Sequence, residues 1–571
     1  MHEGSRVLRN AVVARHHASQ NQFSSASLKP SALTERRRLV LLQPTRATSA
    51  FLISLLRRHG DDERSAPHWA CEDMSLVRFV ERHRASLLLV SLFLLLFGSR
   101  ALLIRYAGYS TPFLDEWEAD GATLLKPYLA GHLGVGDLFV PISEHRIPFT
   151  KLAVLAAYQI AGYWDVVLQM IINALVDSAT VVAVAYALSR ALPRNWAVAA
   201  MILSVAINAA PYGYDNAVLG FNTHFYLLLT FSFVGLWLLA DSGAWSPRWA
   251  LGVLFAAASS MCLASGALTL SAAAAAQGMQ MACGRRAGLS ERVAIAALVA
   301  FSVALISIVP HVPVADELRA HSVGQALVAF GALASWPSHS LLGLILFLPS
   351  AIFISRVLAE RPPLSDPRWF NVMALAWVVS QILSLAIGRA QLPLQTRYAD
   401  ILLVGVTINL VSAFWLFQWN AAQPTPKPWG RLSLAAWLGL LALSLTHPQR
   451  HLPGQIEEWR TILAAGQSNV RDYLSTGDPA FATRAPAREV PSYDPGKLRE
   501  LLDTPEIRAA LPPDLTGKAP PRLWLEAVKE FVLRAGPVWL GLAVVLLIAV
   551  LASGTTVQAA PRTRPAPRSP A

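Results

Sequence analysis

The chain is written as long apolar runs separated by short polar interruptions. The first sustained run is Ala85 to Ile104. Others follow near 165–188, 196–210, 223–240, 249–264, 266–283, 293–310, 339–357, 369–387, 400–419, 432–446 and 536–552. Most approach the ~20 residues a helix needs to cross a ~30 Å hydrocarbon core, and none alternates with the period of two that a barrel strand requires. The pattern predicts an all-α, polytopic membrane bundle of about 12 spans. Two long segments interrupt it. Residues 105–164 carry mixed polar and aromatic positions and an apolar stretch from Phe149 to Ala161, which suits helices lying along the membrane surface. Residues 447–535 are polar and broken by prolines, and predict a small helical cap on the outer face. Residues 1–84 lack a sustained apolar run and are expected to form a disordered cytoplasmic tail. Met74, just ahead of Arg78, Arg82 and Arg84, is a candidate for the true start, and no cleavable signal peptide is expected.

Composition agrees with this pattern. At 54% hydrophobic and 15% charged, the 571 residues exclude a soluble enzyme or a disordered scaffold. The net charge of +12 would suit nucleic acid in a soluble protein, but in a membrane protein lysine and arginine first report topology. Fourteen of them fall in the loops and tail expected inside, against seven in the outer loops before the cap. Both termini are therefore expected in the cytoplasm. Three cysteines, Cys71, Cys262 and Cys283, make neither a disulfide framework nor a metal set. The histidines His311, His321 and His339 have no ligand spacing, and no nucleotide-binding glycine motif occurs.

The chemistry concentrates in a few places. The first outer loop reads Thr111-Pro-Phe-Leu-Asp115-Glu116-Trp117-Glu118-Ala-Asp120 and continues to Glu144-His145-Arg146. A carboxylate held among apolar neighbours there acquires a raised pKa and suits general-base chemistry, although acids in a loop also simply solvate it. A short outer loop, Gly388-Arg389-Ala-Gln-Leu-Pro-Leu-Gln-Thr-Arg397-Tyr398, offers two guanidinium groups for a phosphate or for lipid headgroups. Asp165, Gln169, Asn173 and Asp177 recur every four residues, as the wall of a cavity or as interhelical contacts. The turn Tyr212-Gly-Tyr-Asp215-Asn216 and the segment Gly220-Phe221-Asn222-Thr-His224 could hydrogen-bond a sugar or merely cap a helix.

Asp115-Glu116 just after the first span, a surface-helical loop and about a dozen spans together resemble the type C glycosyltransferase superfold, which includes protein O-mannosyltransferases and lipid A aminoarabinose transferases. The chain is also similar to uncharacterised bacterial membrane proteins with Asp-Glu-Trp, Glu-His-Arg, Gly-Phe-Asn and Arg-Tyr elements, here Asp115–Trp117, Glu144–Arg146, Gly220–Asn222 and Arg397–Tyr398. The likeness covers residues 76 to about 420, and the segment after 447 fits only the second group.

The resemblance implies a bacterial inner-membrane enzyme that moves a sugar, with inversion, from a polyprenyl-phosphate donor to an envelope acceptor on the outer face. Asp115, with Glu116 as alternative, would be the general base. Arg389 and Arg397, with Tyr398 beside them, would hold the donor phosphate. Glu144, His145, Arg146, Asn173, Asp177, Asn222 and His224 are candidates for the substrate cavity. Donor and membrane lipid are the implied partners, the acceptor is unspecified and nucleic acid is not implied. No cofactor is expected, and a divalent ion stays open because the acidic cluster is denser than the usual pair. A lipid-linked saccharide transporter and a non-catalytic assembly protein are the alternatives, the first suggested by Pro310, Pro313, Pro337 and Pro349 in mid-chain.

Overall fold

The computed structural model describes residues 68–338, 340–483 and 489–553, with side chains from residue 79 onward apart from that of residue 314. The chain divides at residue 74 into two units. Of the first only the helical stretch 68–74 is described, and the second, Ser75–Ala571, carries everything that follows. The basic tail at 562–568 and His339 lie outside the described residues, as does the side chain of Cys71.

Among the described residues the protein is all-helical, without a strand. Twelve helices correspond to the twelve expected runs: α1 (His68–Ala107), α2 (Val166–Ser189), α3 (Arg194–Ala209), α4 (Thr223–Leu239), α5 (Pro247–Ala258), α6 (Leu268–Ala282), α7 (Leu289–Ser307), α8 (Leu348–Glu360), α9 (Arg368–Gly388), α10 (Ala399–Ala421), α11 (Trp429–Thr476) and α12 (Gly536–Ser553). Nine of these, some with their preceding turn, are long and apolar enough to cross a membrane. The protein is a helical membrane protein on that ground.

The other three fall short. Helices α3 and α5 have 16 and 12 residues, at ~1.5 Å per residue shorter than the hydrocarbon core, and α6 has 15, reaching 19 only with the preceding turn Ala264–Ala267. Helices α5 and α6 meet in two tight turns, Ser259–Met261 and Ala264–Ala267. There the Ser259 hydroxyl donates to the carbonyls of Ala256 and Gly266, at 2.7 and 2.9 Å. Gly266 has to be glycine, because a Cβ would lie 2.1 Å from the Ser259 carbonyl oxygen. Irregular backbone of this kind is tolerated at membrane depth only when protein encloses it or it lines a cavity.

Two boundaries differ from the sequence reading. The segment 68–84, expected as the end of a disordered tail, is helical and continuous with the first span. Extending an existing helix needs no new nucleation, and Ala70, Glu72, Met74, Glu81 and Arg82 are good helix formers; residues 1–67 lie outside the described residues. At the other end, α11 does not stop at 446 but continues through Pro448 and Pro453 to Thr476, so the 447–535 segment begins as the extension of an apolar helix.

Helix α10 is the axis of the bundle, with 83% of its apolar window buried, whereas α7 and α12, at 22%, sit on the rim. Several charged and amide groups inside the bundle are paired across helices. The Arg100 guanidinium donates to Asp177 at 2.9 Å and to the Asn208 carbonyl at 3.0 Å, and Asn216 donates to Asp400 at 2.9 Å. Three of the four polar positions on α2 make long-range contacts or caps: Asp165 caps α2 and pairs with Lys529, Asn173 donates to the Gly220 carbonyl, and Asp177 holds Arg100, whereas the buried Gln169 side chain has no hydrogen bond among the described residues. The 477–535 segment packs Leu498, Leu501, Ile507 and Leu515 against Trp117, Trp164 and Tyr473. It is a cap seated on the 105–164 segment, tied further by the ion pairs Lys497–Glu118 and Lys126–Glu500.

Candidate functional site

The site begins at a strained residue. Leu114 has φ +50°, the left-handed region that costs a β-carbon about 1–2 kcal/mol. Its N–H donates to the Pro491 carbonyl of the cap at 2.8 Å. This bend turns the adjacent acids to different fates. Glu116 is buried, and its two oxygens accept the backbone N–H groups of Phe113 and Phe221 at 2.7 and 3.0 Å. It is a clamp between the 105–164 segment and the turn Gly220–Asn222, where Gly220 leaves room that a Cβ, 2.5 Å from the Gln169 Oε1, would take. Burial pushes the Glu116 pKa up to about 7 against the pull of those N–H groups.

Asp115 instead lines a cavity of about 230 Å³ and, among the described residues, its carboxylate takes no hydrogen bond or ion pair. Burial raises its pKa, the Arg397 guanidinium opposes that, and Glu118 adds to it. Asp120, one turn on, is fully buried with neither oxygen hydrogen-bonded, and burial followed by the nearby Glu116 holds it well above the usual carboxylate range.

The same cavity gathers Glu144, His145, Asn222, His224, Arg389, Arg397 and Tyr398, residues from four separate stretches of chain. Each is delivered by a helix end or a tight turn. Ser143, at φ +53°, and the paired backbone of Ile142 and His145 form the turn that presents Glu144 and His145. The turn Thr396–Tyr398 at the start of α10 presents Arg397 and Tyr398. It is clipped to the 212–216 turn: Thr396 donates to Asp215 at 2.8 Å, and Asn216 donates to the Arg397 carbonyl at 2.8 Å. The cavity wall is completed by Leu263, Ala264 and Ser265 from the break between α5 and α6.

The two arginines are not equivalent. Arg389 is already committed, donating to Glu144 at 2.5 Å and to the Gly388 carbonyl at 2.9 Å. The Arg397 guanidinium makes no hydrogen bond among the described residues, although Asp215 and Asp115 lie within electrostatic reach. The two imidazoles also differ. His145 Nδ1 accepts the Ala264 N–H at 3.2 Å, so its proton sits on Nε2, 3.9 Å from Glu144; burial, then Arg389 and Arg397, lower its pKa to about 3 and keep it neutral. His224 Nδ1 lies 2.9 Å from the Phe221 carbonyl, which can only accept, so neutral His224 offers a bare Nε2. A cavity so equipped presents a free base, a free guanidinium, one imidazole donor and one imidazole acceptor.

Four expected site residues do not line it. Glu116 serves as the clamp just described. Arg146 donates to the Ile308 carbonyl at 2.7 Å. Asn173 spends its amide on Gly220 and accepts from Thr223, and Asp177 is closed by Arg100, because a polar group inside a bundle is held where a neighbouring helix supplies its partner. Conversely, sequence reasoning missed the wall at 263–265, whose small apolar residues carry no chemical signal, and Tyr493 of the cap, exposed yet within electrostatic reach of Asp115 and Arg397. Among the described residues no three carboxylate, imidazole or thiol groups converge as a metal set. No family model matches the chain, and no curated protein matches it in sequence.

Proposed function

We propose that the protein is an inverting membrane glycosyltransferase that moves a sugar from a polyprenyl-phosphate donor to a cell-envelope acceptor. One observation carries the reading: an unengaged carboxylate, Asp115, and an unengaged guanidinium, Arg397, share one cavity. Such a pair is what displacement at an anomeric carbon needs, a base at the nucleophile and a cation at the departing phosphate.

In the proposed reaction Asp115 takes the proton of an acceptor hydroxyl as its oxygen bonds to the anomeric carbon. The bond from that carbon to the phosphate oxygen breaks, and the electron pair leaves on the polyprenyl phosphate beside Arg397. Burial favours this step by making Asp115 a stronger base than an exposed aspartate. Arg389, engaged by Glu144, holds the 144–145 turn in place, and Tyr398 borders the phosphate. On this reading both termini lie in the cytoplasm and the cavity opens on the outer face of the bacterial inner membrane, an orientation that the lysine and arginine bias of the loops supports.

A second reading, a lipid-linked saccharide transporter, is favoured by the interrupted pair α5 and α6 at the cavity wall, since broken helices build transporter sites. Reconstituted membranes supplied with a polyprenyl-phosphate sugar separate the two. Transfer to an envelope extract that is lost in Asp115→Asn and Arg397→Ala, at unchanged protein level, supports the transferase. Transfer that persists in both variants overturns it, and donor movement across the bilayer without transfer supports the transporter.

A further inference from the structure

At the opposite end of α2 from Asp165, a second cavity of about 220 Å³ lies among α1, α2, α3 and α12. Its chemistry is unlike that of the first. Three guanidinium groups, Arg84, Arg190 and Arg194, line it, and no carboxylate does. Among the described residues none of the three has an ion-pair partner. Arg190 stacks over the Trp237 ring, 4.9 Å from its centroid, which orients the guanidinium and leaves its N–H edge free. The remaining wall is apolar and includes Val198 and Val550.

We infer that this cavity is a binding site for the phosphodiester headgroup of an anionic phospholipid. Guanidinium forks match phosphate oxygens, and the absence of a lining carboxylate leaves their charge uncompensated until an anion enters. The space is smaller than the ~300–1,000 Å³ of pockets that enclose a whole small molecule. It therefore takes the headgroup and leaves the acyl chains in the bilayer. Basic pockets between membrane helices bind anionic headgroups by this logic. Lipid, rather than free phosphate, follows from the apolar wall that continues below the arginines. This site is independent of the proposed transfer chemistry, whose cavity lies beyond the other end of α2.

The test is native mass spectrometry of the full chain in detergent, titrated with phosphatidylglycerol, phosphatidylcholine or inorganic phosphate. Wild type should retain phosphatidylglycerol at least about tenfold more strongly than Arg84→Gln/Arg190→Gln/Arg194→Gln, the loss that one charge-assisted contact alone produces. A control with Arg285→Gln/Arg292→Gln/Arg431→Gln, three arginines elsewhere, should bind as wild type does. Val198→Trp keeps every arginine but fills the apolar wall, and it should also lose the lipid; it decides the matter if the triple variant does not fold. Equal retention in wild type and Val198→Trp, equal loss in the control, no preference over phosphatidylcholine, or displacement by millimolar phosphate would each overturn the assignment.

Discussion

Glu116 gives the most quantitative test of the site's architecture. Its carboxyl is 1% exposed, and burial lifts its pKa from 4.5 to about 7 although the N–H groups of Phe221, Phe113 and Gly220 favour the charged form. An acid whose folded pKa lies above its unfolded value binds more protons folded than unfolded between the two. Its contribution to stability is therefore complete below about pH 4.5, declines as the pH rises toward 7, and is lost above that. The difference between 4.5 and about 7, at about 1.4 kcal/mol per pH unit, amounts to roughly 3 kcal/mol. Burial raises Asp115, Asp120 and Asp215 as well, so wild type alone slopes for several reasons. The informative quantity is wild type minus Glu116→Gln, since the amide keeps the shape and does not titrate. Thermal unfolding of both proteins in nanodiscs, from about pH 4 to 9, should show that difference falling by roughly 3 kcal/mol between pH 4.5 and 7 and then levelling. A flat difference, or one that rises with pH, would mean that the backbone donors hold the carboxylate ionised, and the burial argument would be refuted.

The remaining tests concern function and the buried charges. Asp115→Asn should lower kcat for sugar transfer about 10²- to 10⁴-fold with donor affinity and unfolding temperature unchanged, a split that steady-state kinetics on the reconstituted enzyme reads directly. Arg397→Ala should weaken donor binding at least about tenfold, whereas Arg389→Ala should act mainly by freeing Glu144, so that Glu144→Gln/Arg389→Ala is no worse than Arg389→Ala alone; donor titrations compare the three. Arg100→Leu leaves Asp177 buried without its partner and should destabilise the bundle by about 3–5 kcal/mol, measured as loss of thermal stability, with part recovered in Arg100→Leu/Asp177→Leu. The acid limb of the kcat profile should lie at higher pH than that of kcat/KM, because bound phosphate offsets the Arg397 charge that opposes the rise of Asp115; coincident limbs would show that Arg397 does not face the donor.

Apolar length made most of the bundle legible, and it misled where small residues dominate. The runs near 249–264 and 266–283 read as spans because Ser259, Ser260 and Gly266 barely change hydropathy. Yet the Ser259 hydroxyl bonds the backbone across the turn, and only glycine fits opposite its carbonyl. Helix α11 was cut short for the opposite reason: hydropathy detects where a helix leaves the apolar phase, not where it ends. At the site, Asp115 and Glu116 are adjacent acids that composition treats alike. What separates them is the left-handed backbone at Leu114, together with the N–H groups of Phe113 and Phe221 that receive Glu116. Asp177 was legible as a costly intramembrane charge, but its partner Arg100 lies on another helix, 77 positions away. The Arg-Tyr element was legible as chemistry, and only the fold revealed that Arg389 is closed by Glu144 while Arg397 is open.

The openness of Arg397 also bears on how Asp115 works. In the empty cavity the guanidinium restrains the rise that burial imposes on Asp115, and so holds the carboxylate ionised. In the proposed transfer, a phosphate arriving on Arg397 would cancel that restraint and add its own negative charge, making Asp115 more basic when an acceptor hydroxyl has to lose its proton. One cation would then serve two stages, keeping the base free of a proton before the donor binds and strengthening it afterwards. That arrangement needs Arg397 to lack a fixed carboxylate partner, since a tight ion pair would already have neutralised it. Asp215 illustrates how the fold avoids this: it lies within electrostatic reach of Arg397, but its carboxylate accepts from Thr396 at 2.8 Å and from the Asn216 N–H at 3.1 Å. Those bonds hold it in the turn that positions Arg397, so the nearby charge supports the guanidinium without occupying its donors.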